Sequence, residues 1–195
     1  MFFEFLYWTV GRLIKWIFRL QPEGLENLPR HGVLLCPNHA SNWDPVLIGV
    51  CLPHNYHLRI MAKEALFHNK ALAWLIRKLG AFPVTRGTAD IQSVKTAMQV
   101  IKDGQNLLIF PEGTTIRNGL GYVDGLPPHA HSGIAVIGVR SGATLVPVFA
   151  DGPKKPFHKH RIIFGKPYTP VYTGRRGTSE EMQKIADDIL REAYA

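Results

Sequence analysis

Short apolar runs alternate with amphipathic segments along most of this chain, and the alternation predicts strands separated by helices. Continuous apolar runs bounded by polar and turn residues are typical of strands that are buried on both faces of a sheet. Such runs, or a strict apolar–polar alternation, predict strands at 32–36, 57–61, 81–84, 107–110, 145–149 and 161–164. The segments between them predict helices at 45–52, 71–79, 89–102, 132–140 and 178–194. The pattern therefore predicts an α/β domain with a mixed, largely parallel central sheet flanked by helices.

The first 20 residues differ from the rest, because large apolar side chains surround a narrow polar stripe. On a helix the stripe spans an arc of about 100° and contains Glu4, Gly11, Arg12, Lys15 and Arg19. Charges through the second half argue against a membrane-spanning helix, and the segment lacks the basic start and the cleavage site of a signal peptide. The wide apolar arc predicts an amphipathic helix in a membrane interface, with an ordinary core-packing helix as the alternative. We accordingly divide the chain into a membrane-associated helix at 1–22 and one larger domain at 23–195.

The net charge indicates which classes of partner to expect, and the cysteine content indicates the cellular compartment. The formal charge is +8 and the sequence pI is about 9.7, which favours an anionic partner: a nucleic acid, an anionic membrane, or an acidic substrate or carrier protein. The basic residues are scattered and form no nucleic-acid-binding motif, so no nucleic acid is expected. Cys36 and Cys51 lie in apolar segments, which predicts buried free thiols and fits a cytosolic environment.

A histidine and an aspartate five residues apart, His39 and Asp44, follow the first central strand. On a continuous helix this spacing corresponds to about 500°, so the two side chains would diverge by roughly 140°. Asn38, Ser41 and Asn42 turn readily, and they predict a strand–loop–helix junction that brings the imidazole back against the carboxylate. Asp44 suits the N-cap of the next helix. An imidazole held by a carboxylate is a general base; a loop histidine beside a helix cap is the alternative.

Polar side chains also follow two other predicted strands, Arg86 after one and Glu112 after the other. In open α/β sheets, ligands bind at the carboxyl ends of the strands. Each residue alone has a plain explanation, as a surface arginine or a solvated glutamate. Together with His39 and Asp44, they predict a base, a cation suited to phosphate and an oriented carboxylate at one edge of the sheet.

Four segments together resemble the motifs of glycerolipid acyltransferases of the lysophosphatidic acid acyltransferase type. They are Asn-His-x4-Asp at 38–44, an apolar strand ending in Arg at 80–86, Phe-Pro-Glu-Gly-Thr at 110–114, and a strand around Val-Pro at 146–148. Their order and spacing agree with the family, and the resemblance extends from about residue 24 to about residue 165.

Two positions depart from the family pattern. Thr115 stands where the family commonly has Arg, with Arg117 two residues further on. His131 stands where the family commonly has a Lys that helps to hold phosphate, and a free histidine is mostly neutral at pH 7. The departures leave the implied chemistry intact, but they weaken the expectation of a plain phosphomonoester acceptor.

The resemblance implies an acyltransferase that moves a fatty acyl group from acyl-CoA or acyl carrier protein to the hydroxyl of a lysophospholipid. Lysophosphatidic acid, which would give phosphatidic acid, is the expected acceptor. His39 is the implied general base and Asp44 the residue that orients it. The implied substrate-binding residues are Asn38, Arg86, Glu112, Gly113, Thr114, Arg117 and His131.

The expected partners are the acceptor lipid, the thioester donor and an anionic membrane surface, at the cytoplasmic face of the cell membrane in a peripheral or monotopic arrangement. No cofactor is expected beyond acyl-CoA or acyl carrier protein as co-substrate. No metal is expected either, because no Cys or carboxylate set completes the histidine pairs His129/His131 and His158/His160.

Three other functions fit part of the pattern. An acyltransferase of the same type could use a different lysolipid acceptor. A thioesterase could use the same His and Asp with water as the nucleophile, and its thiol release would not depend on an acceptor. A non-catalytic membrane-binding module would keep the helix and the basic charge, but it would not need His39, Asp44 and Glu112 together.

Overall fold

A seven-stranded sheet forms the centre of the protein in the computed structural model, which describes residues 7–84, 91–115 and 129–194. The strands are β1 (Leu20–Glu23), β2 (Val33–Pro37), β3 (Leu58–Lys63), β4 (Ala81–Val84), β5 (Asn106–Leu108), β6 (Thr144–Ala150) and β7 (His160–Phe164). Their spatial order is β1-β7-β6-β2-β5-β3-β4, and every neighbouring pair is parallel except β6 and β7. The prediction of one α/β domain with a mixed, largely parallel sheet is confirmed.

Helices cover both faces of this sheet. They are α1 (Arg12–Ile17), α2 (Asp44–Cys51), α3 (Lys70–Lys78), α4 (Ile91–Lys102), α5 (Gly133–Ser141) and α6 (Ser179–Tyr194). A π-helical turn, Tyr7–Gly11, precedes α1, and short 3-10 turns are formed by Leu25–Asn27 and Glu64–Phe67. Over the described ranges, none of the helices has the length and apolar character needed to cross a membrane.

Strand β2 shows how the apolar runs become buried on both sides. Val33 and Leu35 pack in the core that contains α2, whereas Leu34 and Cys36 pack in the core formed with α4, α5 and α6. Since successive side chains of a strand point to opposite faces, a central strand with both faces covered needs a continuous apolar run. The cysteines are free and buried as predicted, and burial raises the pKa of the Cys51 thiol to about 12.

The last helix begins with a capping box. The Thr178 N–H donates to Glu181 Oε2 at 2.6 Å, and the Glu181 N–H donates to Thr178 Oγ1 at 3.2 Å. These bonds fix the start of α6, whose far end brings Tyr194 to the carboxyl edge of the central strands.

The N-terminal helix ends five residues before the end of the predicted membrane-associated segment at 1–22. Helix α1 ends at Ile17, Phe18 is buried, and Leu20–Glu23 forms the edge strand β1 beside β7. The Phe18 ring lies 5.5 Å from the Trp43 ring and 6.1 Å from the His160 ring, measured between centroids. The exit of α1 is therefore tied to the core of the domain, close to the loop that carries His39.

Candidate active site

The loop after β2 is anchored to the end of β6 by Asn38. Its backbone N–H donates to Val148 O at 3.2 Å, its side-chain amide donates to Ala150 O at 3.0 Å, and its side-chain oxygen accepts from the Ala150 N–H at 2.7 Å. Asn38 is only 2% exposed. These bonds give Asn38 a positioning role in the loop, and its contact with substrate stays a prediction.

His39 and Asp44 meet as the spacing predicts. The Asp44 carboxylate lies with Oδ2 at 3.2 Å from His39 Nδ1, and the same oxygen accepts from the Ser41 N–H at 2.7 Å. The turn closes with a bond from the Asp44 N–H to Ser41 O at 3.0 Å. Asp44 is the first residue of α2 rather than its N-cap, a place taken by Trp43, because its carboxylate bonds back into the loop.

The surroundings of His39 and Asp44 determine which nitrogen of the imidazole carries the proton. Both side chains are buried, with Asp44 0% and His39 8% exposed. A carboxylate beside Nδ1 fixes the tautomer with the proton on Nδ1, so that Nε2 is left with a lone pair for proton uptake. The imidazole also stacks on the Phe110 ring at 3.9 Å between centroids. The ring is thus held at one edge and on one face.

A hydroxyl already lies against the nitrogen that would take up a proton. Thr115 Oγ1 is 3.0 Å from His39 Nε2 and 3.2 Å from Asn42 Oδ1. The position next to Nε2 is where a general base needs the hydroxyl of its substrate. Thr115, which the sequence marked only as a departure from the family pattern, therefore lies at Nε2 of His39.

Glu112 supports the histidine from the backbone side. Its Oε2 accepts from the His39 N–H at 3.0 Å, and its Oε1 accepts from the Tyr194 hydroxyl at 2.6 Å. Burial raises the pKa of the Glu112 carboxyl above its ordinary value, although the hydrogen bonds from Tyr194 and from the His39 backbone act in the opposite direction. Both oxygens already accept protein donors, and the predicted contact of Glu112 with the acceptor stays a prediction.

The turn after Phe110 brings the other motif residues to the same edge. Gly113 has φ +64°, and a Cβ at this position would lie 2.5 Å from Cδ2 of the His131 ring, so glycine allows the close approach. The His131 N–H donates to Pro111 O at 2.8 Å, and His131 and Thr114 are exposed. The structure thus collects these residues around His39.

Two predicted binding residues, Arg86 and Arg117, lie outside the described residues. The histidine pairs have separate partners: His129 Nδ1 lies 3.1 Å from Asp187 Oδ1, and His160 Nδ1 lies 3.0 Å from Asp151 Oδ1. Within the described ranges, no three His, Cys, Asp or Glu side chains form a group that could hold a metal ion.

Sequence reasoning missed Tyr194 and Lys154. The Lys154 side chain is completely buried, and its Nζ lies 3.5 Å from Asp44 Oδ1 and 3.0 Å from Asp151 Oδ1. Nothing in the sequence distinguishes Lys154 from the exposed Lys155 beside it, because both belong to a polar, proline-containing segment. Tyr194 lies 155 residues after His39 in the numbering and carries no motif.

The arrangement is a buried histidine paired with an aspartate at the carboxyl ends of the strands of an α/β sheet. The acyltransferase family model matches residues 19–151. The chain therefore belongs to the acyltransferase family, and its enzyme class is that of the O-acyltransferases.

Several named proteins are similar to this chain. The 1-acyl-sn-glycerol-3-phosphate acyltransferase of Bacillus subtilis is 34% identical over 149 residues, which cover 73% of this chain and 70% of that protein. The protein of the same name from Streptococcus pneumoniae is 28% identical over 174 residues, covering 86% of this chain and 61% of the relative. The lyso-ornithine lipid O-acyltransferase of Pseudomonas aeruginosa is 32% identical over 110 residues, which cover 55% of this chain and 40% of that protein.

A solved structure shares the fold. The crystal structure of the 1-acyl-sn-glycerophosphate acyltransferase PlsC from Thermotoga maritima matches with a TM-score of 0.67 and 21% identity, covering 98% of this chain and 78% of that chain. At this identity the likeness concerns the architecture alone.

Replacing Glu112 tests the cost of its buried charge. A raised pKa means that folded Glu112 takes up a proton at a higher pH than the unfolded chain does, where a Glu titrates near about 4.3. Its stabilising contribution is present below the unfolded pKa and is lost as the pH rises through the folded pKa. The free energy of unfolding of the wild type, relative to Glu112→Gln, should therefore rise as the pH falls through the folded pKa and level off below the unfolded pKa of about 4.3.

Urea unfolding at a series of pH values measures this difference. Glu181→Gln is the matched control, since hydrogen bonds led by the Thr178 N–H lower the pKa of Glu181 and acidification removes its contribution. The same sign of pH dependence for both variants would contradict the assignment.

Proposed function

We propose that this enzyme transfers a fatty acyl group from a thioester of coenzyme A or acyl carrier protein to the hydroxyl of a lysophospholipid, with lysophosphatidic acid as the acceptor and phosphatidic acid as the product. The observation that carries the proposal is the buried His39, whose Nδ1 faces Asp44 while its Nε2 has a hydroxyl at 3.0 Å. The names of the relatives from Bacillus subtilis and Streptococcus pneumoniae support this acceptor.

In the proposed reaction, His39 acts as base and then as acid. Its Nε2 takes the proton of the acceptor hydroxyl as that oxygen attacks the thioester carbonyl carbon. The tetrahedral intermediate then collapses, the carbon–sulfur bond breaks, and the imidazolium returns the proton to the departing thiolate. Asp44 stabilises the imidazolium in between. Since Thr115 Oγ1 stands beside Nε2, the acceptor hydroxyl takes the place of the threonine hydroxyl when it binds.

Two acceptor headgroups are compatible with the site, the phosphate of lysophosphatidic acid and the headgroup of a different lysolipid. Arg86 and Arg117 would bind phosphate, because a guanidinium matches its geometry, and Gly113, Thr114 and His131 would line the same edge. A neutral His131 offers less to a phosphomonoester than a lysine does. The relative named for lyso-ornithine lipid supports a different lysolipid as the alternative acceptor. Turnover with a panel of lysolipids and one donor separates the two.

Removing the imidazole tests the mechanism. We expect His39→Ala to lower turnover by about 10²–10⁴, the usual cost of losing a general base, with the fold retained. Asp44→Asn should lower it severely as well, because the preferred tautomer is lost. The assay is acceptor-dependent thiol release, and His68→Ala, which removes an exposed histidine outside the site, is the matched control. Near-normal turnover of His39→Ala would rule out the proposed chemistry.

Thioester hydrolysis is a second candidate, favoured by the position of Thr115. With its hydroxyl at Nε2 and the carboxylate at Nδ1, the order Thr115–His39–Asp44 is that of a nucleophile, a base and an orienting acid. In that reaction Thr115 Oγ1 attacks the thioester, the thiol leaves with the proton from His39, and water then hydrolyses the acyl-threonine ester.

Thr115→Val separates the two candidates, since it keeps the shape but removes the hydroxyl. For the acyltransferase, we expect acceptor-dependent thiol release to persist, and the wild type incubated with donor alone to show no covalent adduct. The measurements are thiol release with and without acceptor, and the intact mass of the protein. A mass increase of one acyl group in the wild type, absent from Thr115→Val and accompanied by loss of activity, would favour the acyl-enzyme route.

We further propose that α1 and the segment 153–159 contact an anionic membrane at its cytoplasmic face. The Trp16 and Phe157 rings meet edge to face at 5.9 Å, and the Phe157 N–H donates to Ile17 O at 2.6 Å. Trp16 is 67% and Phe157 62% exposed, and Leu13 beside them is 53% exposed. Together with their basic neighbours, these side chains form the proposed membrane-facing patch, which consists of Leu13, Trp16, Phe157, Arg12, Lys15, Arg19, Lys155 and Lys159. A basic residue near an anionic leaflet contributes about 1 kcal/mol.

The double variant Trp16→Ser/Phe157→Ser tests the membrane-facing patch without touching the buried Phe18. We expect it to lose most of its co-sedimentation with vesicles containing anionic lipid, because the apolar surface that enters the interface is removed. Trp74→Ser is the comparison, since Trp74 is 55% exposed on α3, beside the opposite edge of the sheet. Equal binding of the double variant and the wild type, with loss in Trp74→Ser, would place the contact on α3 instead.

A further inference from the structure

A buried ammonium group lies directly behind the His–Asp pair. The Lys154 side chain is 0% exposed, and its Nζ donates to Asp151 Oδ1 and to Gly152 O, both at 3.0 Å. Burying a charge is costly unless it is paired and hydrogen-bonded. The contacts of Lys154 meet that requirement, and one of its neighbours is the carboxylate of Asp44.

The two oxygens of Asp44 have different surroundings. Oδ2 faces His39 and the Ser41 N–H, whereas Oδ1 has no hydrogen-bond partner among the residues that the structure describes. Lys154 Nζ is 3.5 Å from Oδ1, longer than a good hydrogen bond but close enough for a strong Coulombic attraction at a buried site. The carboxylate is thus shared between an imidazole and an ammonium.

The charge pattern continues outward through Asp151. Its Oδ1 also lies 3.0 Å from His160 Nδ1, and its Oδ2 accepts from the Arg161 N–H at 2.9 Å. The His160 Nε2 in turn accepts from the Lys155 N–H at 3.1 Å. Asp151 is the first member with some solvent access, at 28% side-chain exposure. Negative and positive groups therefore alternate from Asp44 through Lys154 to Asp151.

We propose that Lys154 is a positioning residue for the general base: its ammonium fixes the Asp44 carboxylate in the orientation that holds His39 and offsets part of the charge of that carboxylate. The proposal rests on the proposed role of His39. A bare carboxylate favours the imidazolium, and a cation behind the carboxylate reduces that preference. The charged and titratable groups facing the cluster are Asp44 and Glu112 at His39, Asp44 and Asp151 at Lys154, His160 and Arg161 at Asp151, and Tyr194 at Glu112.

Two substitutions should move the rate–pH profile in opposite directions. Lys154→Met removes the cation but keeps the length of the chain, and the acid limb of kcat/KM should shift to higher pH by about one unit, a tenfold change in proton affinity. Asp151→Asn removes a negative charge beyond the lysine, and the acid limb should shift to lower pH. The Michaelis constants of donor and acceptor should stay close to those of the wild type, because neither residue lies at the nitrogen that meets substrate.

A merely structural role would give a different result. Loss of packing lowers kcat at every pH and lowers the melting temperature, but it does not displace the acid limb in opposite directions in two variants. Lys154→Arg keeps the charge and should return the limb towards the wild-type position. An unmoved limb in Lys154→Met would overturn the proposal. If Lys154→Met does not fold, Asp151→Asn provides the test. An acid limb that does not move in Asp151→Asn would also overturn the proposal. Activity in His39→Ala would instead overturn the proposed function, whatever Lys154 does.

Discussion

The buried carboxylate of Asp44 is the constraint on which the site depends. A carboxylate removed from water costs several kcal/mol unless donors surround it. Here the Ser41 N–H, the His39 imidazole and the Lys154 ammonium all lie within 3.5 Å of its oxygens. These groups belong to the loop after β2 and to the segment after β6. The loop, the start of α2 and the β6–β7 connection must therefore all be in place before the carboxylate is compensated.

The same constraint makes the imidazole a rigid group. Asp44 holds Nδ1, Glu112 holds the backbone N–H of His39, and Phe110 covers one face of the ring. Glu112 is itself fixed by Tyr194 from the last helix. An imidazole held in this way has little conformational freedom left to lose, which is the benefit of orientation in the proposed catalysis. The capping box of α6 contributes at a distance, because it sets the register of the helix that carries Tyr194.

Local patterns predicted the parts of the site that lie within one segment. The apolar runs located strands β2 to β7 but not the edge strand β1, and the residues between His39 and Asp44 predicted the turn that brings the two side chains together. The sequence did not predict the roles of Lys154 and Tyr194, because both depend on contacts between distant parts of the chain. Lys154 contacts Asp44, 110 positions away in sequence, and Tyr194 contacts Glu112, 82 positions away. Neither lysine nor tyrosine indicates burial on its own. A lysine is almost never fully buried without a partner, and the order of the strands in the sheet determines which partner Lys154 meets. Thr115 was visible in the sequence, but only the fold shows that its hydroxyl reaches Nε2.

The antiparallel pair in the sheet explains why one short segment contributes to both the proposed base and the proposed membrane contact. β6 runs parallel to β2, so Ala150 and Pro37 end at the same edge, and Asn38 joins them there. A further parallel strand would need a crossover connection, usually a helix, which would carry the chain away from this edge. Because β7 is antiparallel to β6, the chain instead returns locally through the segment 151–159. Within that return, Lys154 points into the interior towards Asp44, and Phe157 lies on the surface against Trp16. An acyl acceptor that stays in a bilayer can reach only a base close to the membrane surface. In the proposed function, one direct strand connection meets that requirement, since it links the ammonium behind the Asp44 carboxylate to an exposed aromatic side chain.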